Sequence, residues 1–598
     1  MNYPVWELPA PGLLIAVVAI LHVFISHFAV GGGLFLVLAE RKARREGDAD
    51  FLGFVRGLSR GFILLTLVLG AVTGVGIWFT IALVQPQATS ALVTTFVWAW
   101  AIEWLLFATE IAAAMVYYYG WDRLSPRTHL TVGWVYFVSA WASLAVIAGI
   151  LAFMLTSGDW VRTRSFADGF FNPTYLPMVA LRTAVAVGLA GLYVLFAASF
   201  LKDADLKARM ARWSATRWIV PAAVLVPLAL LWYLSAAAGA GVAVAETLGA
   251  ESAAPAAVLA AVFGTTNTGH PIVRGAARVA LAGTALLVLA SLALVALRAR
   301  RYGRLEASLL MVLGIASMGG GEWVREGLRK PWVIDRYMFV NGVRATAPPG
   351  GGGTAGSPAD DPFALDTLAR RGVLATSPWA AVGTAWRPGD PAFEGLPAGE
   401  RATLEARAGR EVFKLECSAC HTERAHLGVR RLVQGKSVAA ITAILDAAAR
   451  PITADGRPGA WSDPGVRVAS WLGRRMPPFA GTAAEKRALA VHLARLGGDE
   501  RAGLETAVAV GGGAEAFERH CASCHGPDSP WPVAERLRGR AAADFYEMIG
   551  RLPQVREEMP PFSGTEDERR ALAEHLGGLA ATVPGDTVVD EPETEEKR

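Results

Sequence analysis

The chain has 598 residues with 53% hydrophobic residues and a mean hydropathy of +0.35, values that exclude an ordinary soluble protein and leave room for several domains. A formal net charge of +4 is small for this length, the basic residues are scattered, and no motif for base or phosphate-backbone readout occurs, so nucleic acid is not an expected partner. The four cysteines fall without remainder into two Cys-x-x-Cys-His motifs, leaving none for a structural disulfide.

No basic n-region or small-residue cleavage site precedes the first apolar run, which therefore reads as a retained helix. Runs long enough to span the lipid bilayer cover residues 12–38, 58–84, 91–119, 130–155, 176–201, 218–244, 272–297 and, shorter, 307–321. The expectation is an all-α membrane domain of about eight helices. Loops after odd-numbered helices are rich in Arg and Lys, as in Arg41-Lys-Ala-Arg-Arg45, Arg123 with Arg127, Lys202 to Arg217, and Arg298 to Arg304. Loops after even-numbered helices are poorer in cations, Arg162 and Arg164 being the main exception, so the amino terminus is expected outside and eight crossings return the chain there.

Three membrane stretches carry charge or imidazole. The first helix holds His22 and His27, a pair that favours a haem ligand or a proton-carrying group over a single hydrogen-bonded core histidine. The third holds Glu103 and Glu110, seven residues and two turns apart, hence on one face, as a proton path or metal-site wall would need and as helix–helix hydrogen bonding would also allow. The eighth ends in Ser317 to Trp332, with Glu322, Arg325, Glu326, Arg329 and Lys330. Each ionisable group in a spanning segment costs about 2.5–3.5 kcal/mol on insertion scales, so this cluster reads as a ligand, proton or cofactor-carboxylate site rather than as snorkelling side chains alone.

Beyond residue 344 the composition changes. Ala347 to Pro358 is Gly/Pro-rich and reads as a flexible linker, continuing as irregular chain to about Glu400. An internal repeat follows, as two small helical domains over residues 401–500 and 506–582, with a charged tail over 583–598 expected to be disordered. Gly409 to His421 matches the segment ending Cys521-Ala-Ser-Cys-His525, and Met476-Pro-Pro-Phe matches Met559-Pro-Pro-Phe.

In Cys-x-x-Cys-His the two thiols add to haem vinyl groups while the histidine coordinates iron. Cys417, Cys420 and His421 would serve one covalent haem c, and Cys521, Cys524 and His525 a second. Zinc or a redox dithiol is the rival reading, against which stand the trailing His, the preceding amphipathic helix and the following Met-Pro-Pro-Phe. Each repeat resembles a class I cytochrome c, and that resemblance implies Met476 and Met559 as the distal iron ligands, with packing in the core the alternative for either. Because c-type haem is attached on the outer face of the bacterial membrane, it agrees with the orientation read from the loops.

The membrane half resembles the large, haem-bearing subunit of cytochrome bd quinol oxidases. The resemblance rests on Leu21-His22 with Gly31 and Glu40, on Ala101-Ile-Glu103 followed by Glu110 and Tyr119-Gly-Trp-Asp-Arg-Leu124, and on Glu326-Gly-Leu-Arg-Lys-Pro-Trp332, close to the family's Glu-x-Gly-Arg-Gln-Pro-Trp. It covers residues 1–344. It implies one or two non-covalent haems of b or d type, with His22 and Glu326 as axial ligands of adjacent haems, Glu103 and Glu110 lining the proton and haem region, and Arg329 holding a propionate. It also implies a second, small membrane subunit.

Several family features are missing. A His-Thr pair in the fifth helix is replaced by Arg182-Thr183, residues 270–297 contain no Met, and the long quinol loop shrinks to residues 239–270 without lysine. One residue is missing between Glu103 and Glu110, and the ninth helix gives way to the cytochrome region. The low-spin haem and quinol oxidation in that loop are therefore expected to be absent. These features together predict a bd-like respiratory oxidoreductase in the bacterial cytoplasmic membrane, reducing dioxygen or another small oxidant with electrons from a separate donor relayed by the c haems. The alternative is a non-catalytic, membrane-anchored dihaem electron-transfer subunit.

Overall fold

The computed structural model describes residues 3–265, 269–345, 361–382, 385–446, 448–453, 457, 459, 461, 467–469, 475–504, 512–525, 541–555, 559, 561–562 and 564–582. Among the described residues, eight helices are long and apolar enough to cross a membrane: α1 Pro11–Glu46, α2 Ala49–Val84, α3 Val97–Tyr119, α4 Pro126–Leu155, α5 Tyr175–Ala198, α6 Ala204–Gly239, α7 Pro271–Arg298 and α8 Arg304–Arg329. Their ends follow local chemistry. Gly47 closes α1 in the left-handed conformation, with φ 65°. Asp48, Ser125 and Asp203 cap α2, α4 and α6 through their side chains. The outward surfaces of α2, α3 and α6 expose large apolar side chains such as Phe79, Trp98, Trp104, Leu105 and Leu228, the surface that lipid would cover.

The Arg-rich loops all lie at one end of the bundle, where Arg56 pairs with Asp122 and Arg209 with Asp48. At the other end the chain leaves α8 into a hairpin of β1 Trp332–Ile334 and β2 Met338–Phe339. Alternation along β2 sends neighbouring side chains to opposite faces. Met338 and Val340 pack with Val333 and Ile334 on Phe96, Phe153 and Trp160 of the membrane domain. Phe339 turns the other way and stacks on Trp332 with centroids 4.2 Å apart, and both enter the core of the first cytochrome-like module. The hairpin is thus the middle layer between two domains.

Part of the segment read as irregular linker is folded. Residues 361–382 contain α9 Leu365–Arg371, whose Leu365 and Leu368, with Val373, join the core of the first module. The Gly/Pro run at 346–360 and the tail from 583 lie outside the described residues.

The first module is built on α10 Ala398–Glu416, α11 Val438–Asp446 and α12 Ala483–Leu496, and the second on α13 Gly513–His520, α14 Ala542–Gly550 and α15 Glu566–Thr582. In each module the first helix crosses the last so closely that only glycine fits. A Cβ on Gly409 would lie 1.9 Å from Ala488 O, and one on Gly513 1.9 Å from Ala571 O. The ring pairs Phe413–His492 and Phe517–His575 repeat too, at 6.2 and 6.0 Å. Two sequence repeats have produced one packing twice.

Candidate haem and proton sites

In α1, His22 Nδ1 lies 3.1 Å from Thr73 Oγ1 of α2, and the Thr73 hydroxyl is itself committed to Leu69 O at 2.6 Å. The threonine oxygen is therefore the acceptor, His22 Nδ1 carries the proton, and Nε2 keeps the lone pair that a metal takes. His27 is different. Its Nδ1 donates to Val23 O at 2.7 Å and its Nε2 accepts from Arg182 Nη1 at 3.3 Å, so neither nitrogen is open.

Arg182 points inward from α5 and is only 8% exposed. Its second terminal nitrogen donates to Glu322 of α8 at 3.0 Å, and the other oxygen of Glu322 accepts from Arg325 at 2.9 Å. One turn on, Glu326 is held through one oxygen by Arg329 at 2.5 Å and through the other by Lys330 at 2.9 Å. Arg329 also donates to Val333 O of the hairpin at 2.9 Å. Four cations here face two carboxylates.

Arg182 Nε, Arg325 Nη1 and Arg329 Nε are buried without a hydrogen-bond partner among the described residues. Each orphaned donor costs roughly 1–3 kcal/mol, so the cluster is short of acceptors. Haem carboxylates would supply them, and His22 Nε2 would supply a ligand. These residues fit a haem. Both oxygens of Glu326 are ion-paired in this arrangement, each with one cation.

Glu103 and Glu110 face α4, as their spacing predicts. Ser143 donates to Glu103 at 3.2 Å and Tyr136 to Glu110 at 3.2 Å. Nearer the Arg-rich end, Glu40 is wholly buried and accepts from Arg44 at 2.7 Å, Tyr117 at 2.8 Å and His129 at 2.9 Å. Sequence reasoning gave Glu40 a matching position but no role, and missed His129, Tyr136 and Ser143. An imidazole in the first turn of a spanning helix was the signal for His129.

In the first module, Cys417 N–H closes α10 by donating to Phe413 O at 2.8 Å and His421 N–H donates to Cys417 O at 2.9 Å. Cys521 to Phe517 and His525 to Cys521 repeat these at 2.8 and 2.9 Å. His421 Nδ1–H donates to Leu427 O at 3.2 Å, which turns Nε2 into the available lone pair. Cys417 and Cys420 form no disulfide, and Met476 is partly buried. The motif and tautomer fit covalent haem c. Met559 is also partly buried, and the Cys524 side chain lies outside what is described.

Beside the motif, Glu416 is buried, accepting from Asn341 Nδ2 at 3.3 Å and from Ala480 N–H at 3.4 Å. Burial pushes its carboxyl up to about 8. His270, at the start of α7, lies 3.2 Å from Arg475 Nη1. Burial, and then the Arg475 charge, lower its imidazole to about 4, so it is neutral and accepts this bond.

Residues 13–272 match the family model described as cytochrome bd terminal oxidase subunit I, a span that holds His22, Glu103, Glu110 and Arg182 and ends before Glu326 and Arg329. Residues 509–576, the second repeat, match that of cytochrome c oxidase, cbb3-type, subunit III. No curated protein matches the chain. Among solved structures, a chain of bd oxidase from Geobacillus thermodenitrificans is similar at 16% identity and a TM-score of 0.43, over 55% of this chain and 89% of that one. A bd-oxidase-like membrane domain is thus followed by a cytochrome c-like region in one membrane protein, and both family matches imply haem.

Proposed function

We propose that this protein is a bd-like respiratory oxidoreductase of the bacterial cytoplasmic membrane. It reduces dioxygen, or another small oxidant, with electrons relayed by two c-type haems instead of taken directly from quinol. The observation that carries this reading is the shared core in which Trp332 and Phe339, anchored to the last membrane helix, pack inside the first haem-attaching module. A module so fixed is built to exchange electrons with what lies beneath it.

Bound haem supplies one-electron storage at iron and, where a coordination position is open, a place for the oxidant. The chain's own residues do the rest. Cys417, Cys420 and His421, with Met476, would hold the first c haem, and Cys521, Cys524 and His525, with Met559, the second. His22 Nε2 would hold a haem in the membrane domain, and Arg329, with Arg182 and Arg325, would neutralise its carboxylates. Dioxygen reduction consumes four protons, for which Glu103 and Glu110 are the proton-handling groups, oriented by Ser143 and Tyr136.

The Arg-rich loops and the cytochrome-like modules lie at opposite ends of the bundle, which supports an orientation with modules and amino terminus outside. A second, small membrane subunit is the expected partner, together with lipid and a separate electron donor.

One observation favours the second reading, a membrane-anchored electron-transfer subunit without its own oxidant site. Both oxygens of Glu326 are ion-paired. Haem quantification with reduced-minus-oxidised and carbon-monoxide difference spectra of the purified protein decides between them. Non-covalent haem that binds carbon monoxide beside two c haems establishes the oxidoreductase. Two c haems alone leave the anchor.

A further inference from the structure

The first module does not merely share a core with the membrane domain. It turns its haem-attachment motif toward it. Cys417 packs into the module's own core, whereas Cys420 packs with Tyr337 and Met154 against the membrane-side cluster of Val333, Ile334 and Met338. Arg329 donates to the sulfur of Met154, which packs on the same cluster as Cys420, and Arg475, next to Met476 in the chain, donates to His270 at the start of α7.

Four contacts fix this orientation: Asn341 to Glu416, Arg475 to His270, Arg410 to Glu7 at 2.9 Å, and His426 N–H to Pro9 O at 3.2 Å. On the module they come from α10, from the loop after His421 and from Arg475, and on the membrane domain from the segment before α1, the start of α7 and the turn after the hairpin. The second module stacks on the first, α13 against α11, with Ser437 Oγ donating to Arg519 O at 3.5 Å.

We propose that the Cys420 edge of the first module is the electron contact with the membrane domain, with Arg475 the positioning residue that sets the potential of that module's haem, and that the second module feeds the first. This rests on the function proposed above and names the route within it. Each event moves one electron from a ferrous haem of the first module, which becomes ferric, to a ferric haem of the membrane domain, which becomes ferrous. No bond forms or breaks, the second module restores the electron, and the small oxidant finally consumes it.

Arg475 adds a positive charge beside the haem edge, and a cation stabilises the reduced, less positive iron. In a spectroelectrochemical titration of the full-length protein, Arg475→Gln is expected to lower the potential of one c haem and leave the other unchanged. Arg475→Lys should restore it, and Arg430→Gln, an exposed cation on the same module, should change neither. An Arg475→Gln titration superimposable on wild type would overturn the assignment of Arg475.

The route is read by stopped flow with ascorbate and a small mediator. Cys417→Ala/Cys420→Ala should leave the second c haem reducible and stop reduction of the non-covalent haem. Cys521→Ala/Cys524→Ala should leave that reduction intact. Unchanged reduction in the first double variant would overturn the route. Absence of non-covalent haem from the wild type would overturn the function beneath it, a result the potential shift of Arg475→Gln does not depend on.

Discussion

Arg182 of α5 and Glu322 of α8 form a buried ion pair 3.0 Å long, and the same guanidinium reaches His27 of α1. Three helices are tied at a place where the bd resemblance implies a histidine ligand in the fifth helix. The arginine converts that place into a structural joint. Removing it strands Glu322 beside a single remaining cation, Arg325. Arg182→Leu is expected to destabilise the membrane domain by about 3–5 kcal/mol, the scale for breaking a buried pair, with Arg182→Lys intermediate. Thermal unfolding in detergent checks this, and a melting curve unchanged in Arg182→Leu would show the pair to be dispensable.

His22 differs from His27 in having an open nitrogen. His22→Ala is expected to lose non-covalent haem, read as a lower pyridine-haemochrome b or d signal, with the c-type bands at wild-type strength. His27→Ala should keep the haem. Equal haem content in both would remove His22 from the ligand set.

A thioether ligand raises a haem's potential relative to nitrogen or water. Met476→Ala should therefore lower one c-haem potential, and Met559→Ala the other. Unaltered titration in either variant would return that methionine to a packing role.

Glu416 ties the first module to Asn341 and carries a pH dependence with a definite sign. Its carboxyl stays protonated in the fold up to about 8 but ionises near 4.5 when the chain unfolds. Below about 4.5 the group contributes no pH dependence. As pH rises from there to 8 the unfolded state is progressively favoured, and the loss levels off above 8. Glu416→Gln keeps an uncharged, hydrogen-bonding side chain, so the module's stability should lose much of its decline across this window. Melting temperatures between pH 5 and 9 test it, and parallel wild-type and variant profiles would count against the assignment.

The spans of the eight helices could be read in the sequence because lipid demands long apolar runs, and hydropathy records them directly. The two Cys-x-x-Cys-His motifs were as plain, since the covalent attachment proposed for Cys417, Cys420 and His421 needs one fixed spacing. Partner choice was not legible. That Arg182 meets Glu322, or that Lys330 takes the second oxygen of Glu326, depends on how helices rotate about their axes, which periodicity does not fix. The folded stretch at 361–382 was hidden for another reason: its apolar residues complete a core whose other members, from Trp332 to Ala345 and from Val412 onward, lie twenty or more positions away in the chain, so no local pattern announces them.

The hairpin shared by the two domains also changes the kind of reaction the first module takes part in. A separate soluble cytochrome must collide with its membrane acceptor, dock in one of many orientations and leave again, at a rate that follows concentration and weakens with salt. With Trp332 and Phe339 inside the module's core, that search is completed during folding. On the route proposed above, transfer at this junction would be a first-order event, insensitive to dilution and ionic strength, with any diffusional control moved outward to whatever reduces the second module.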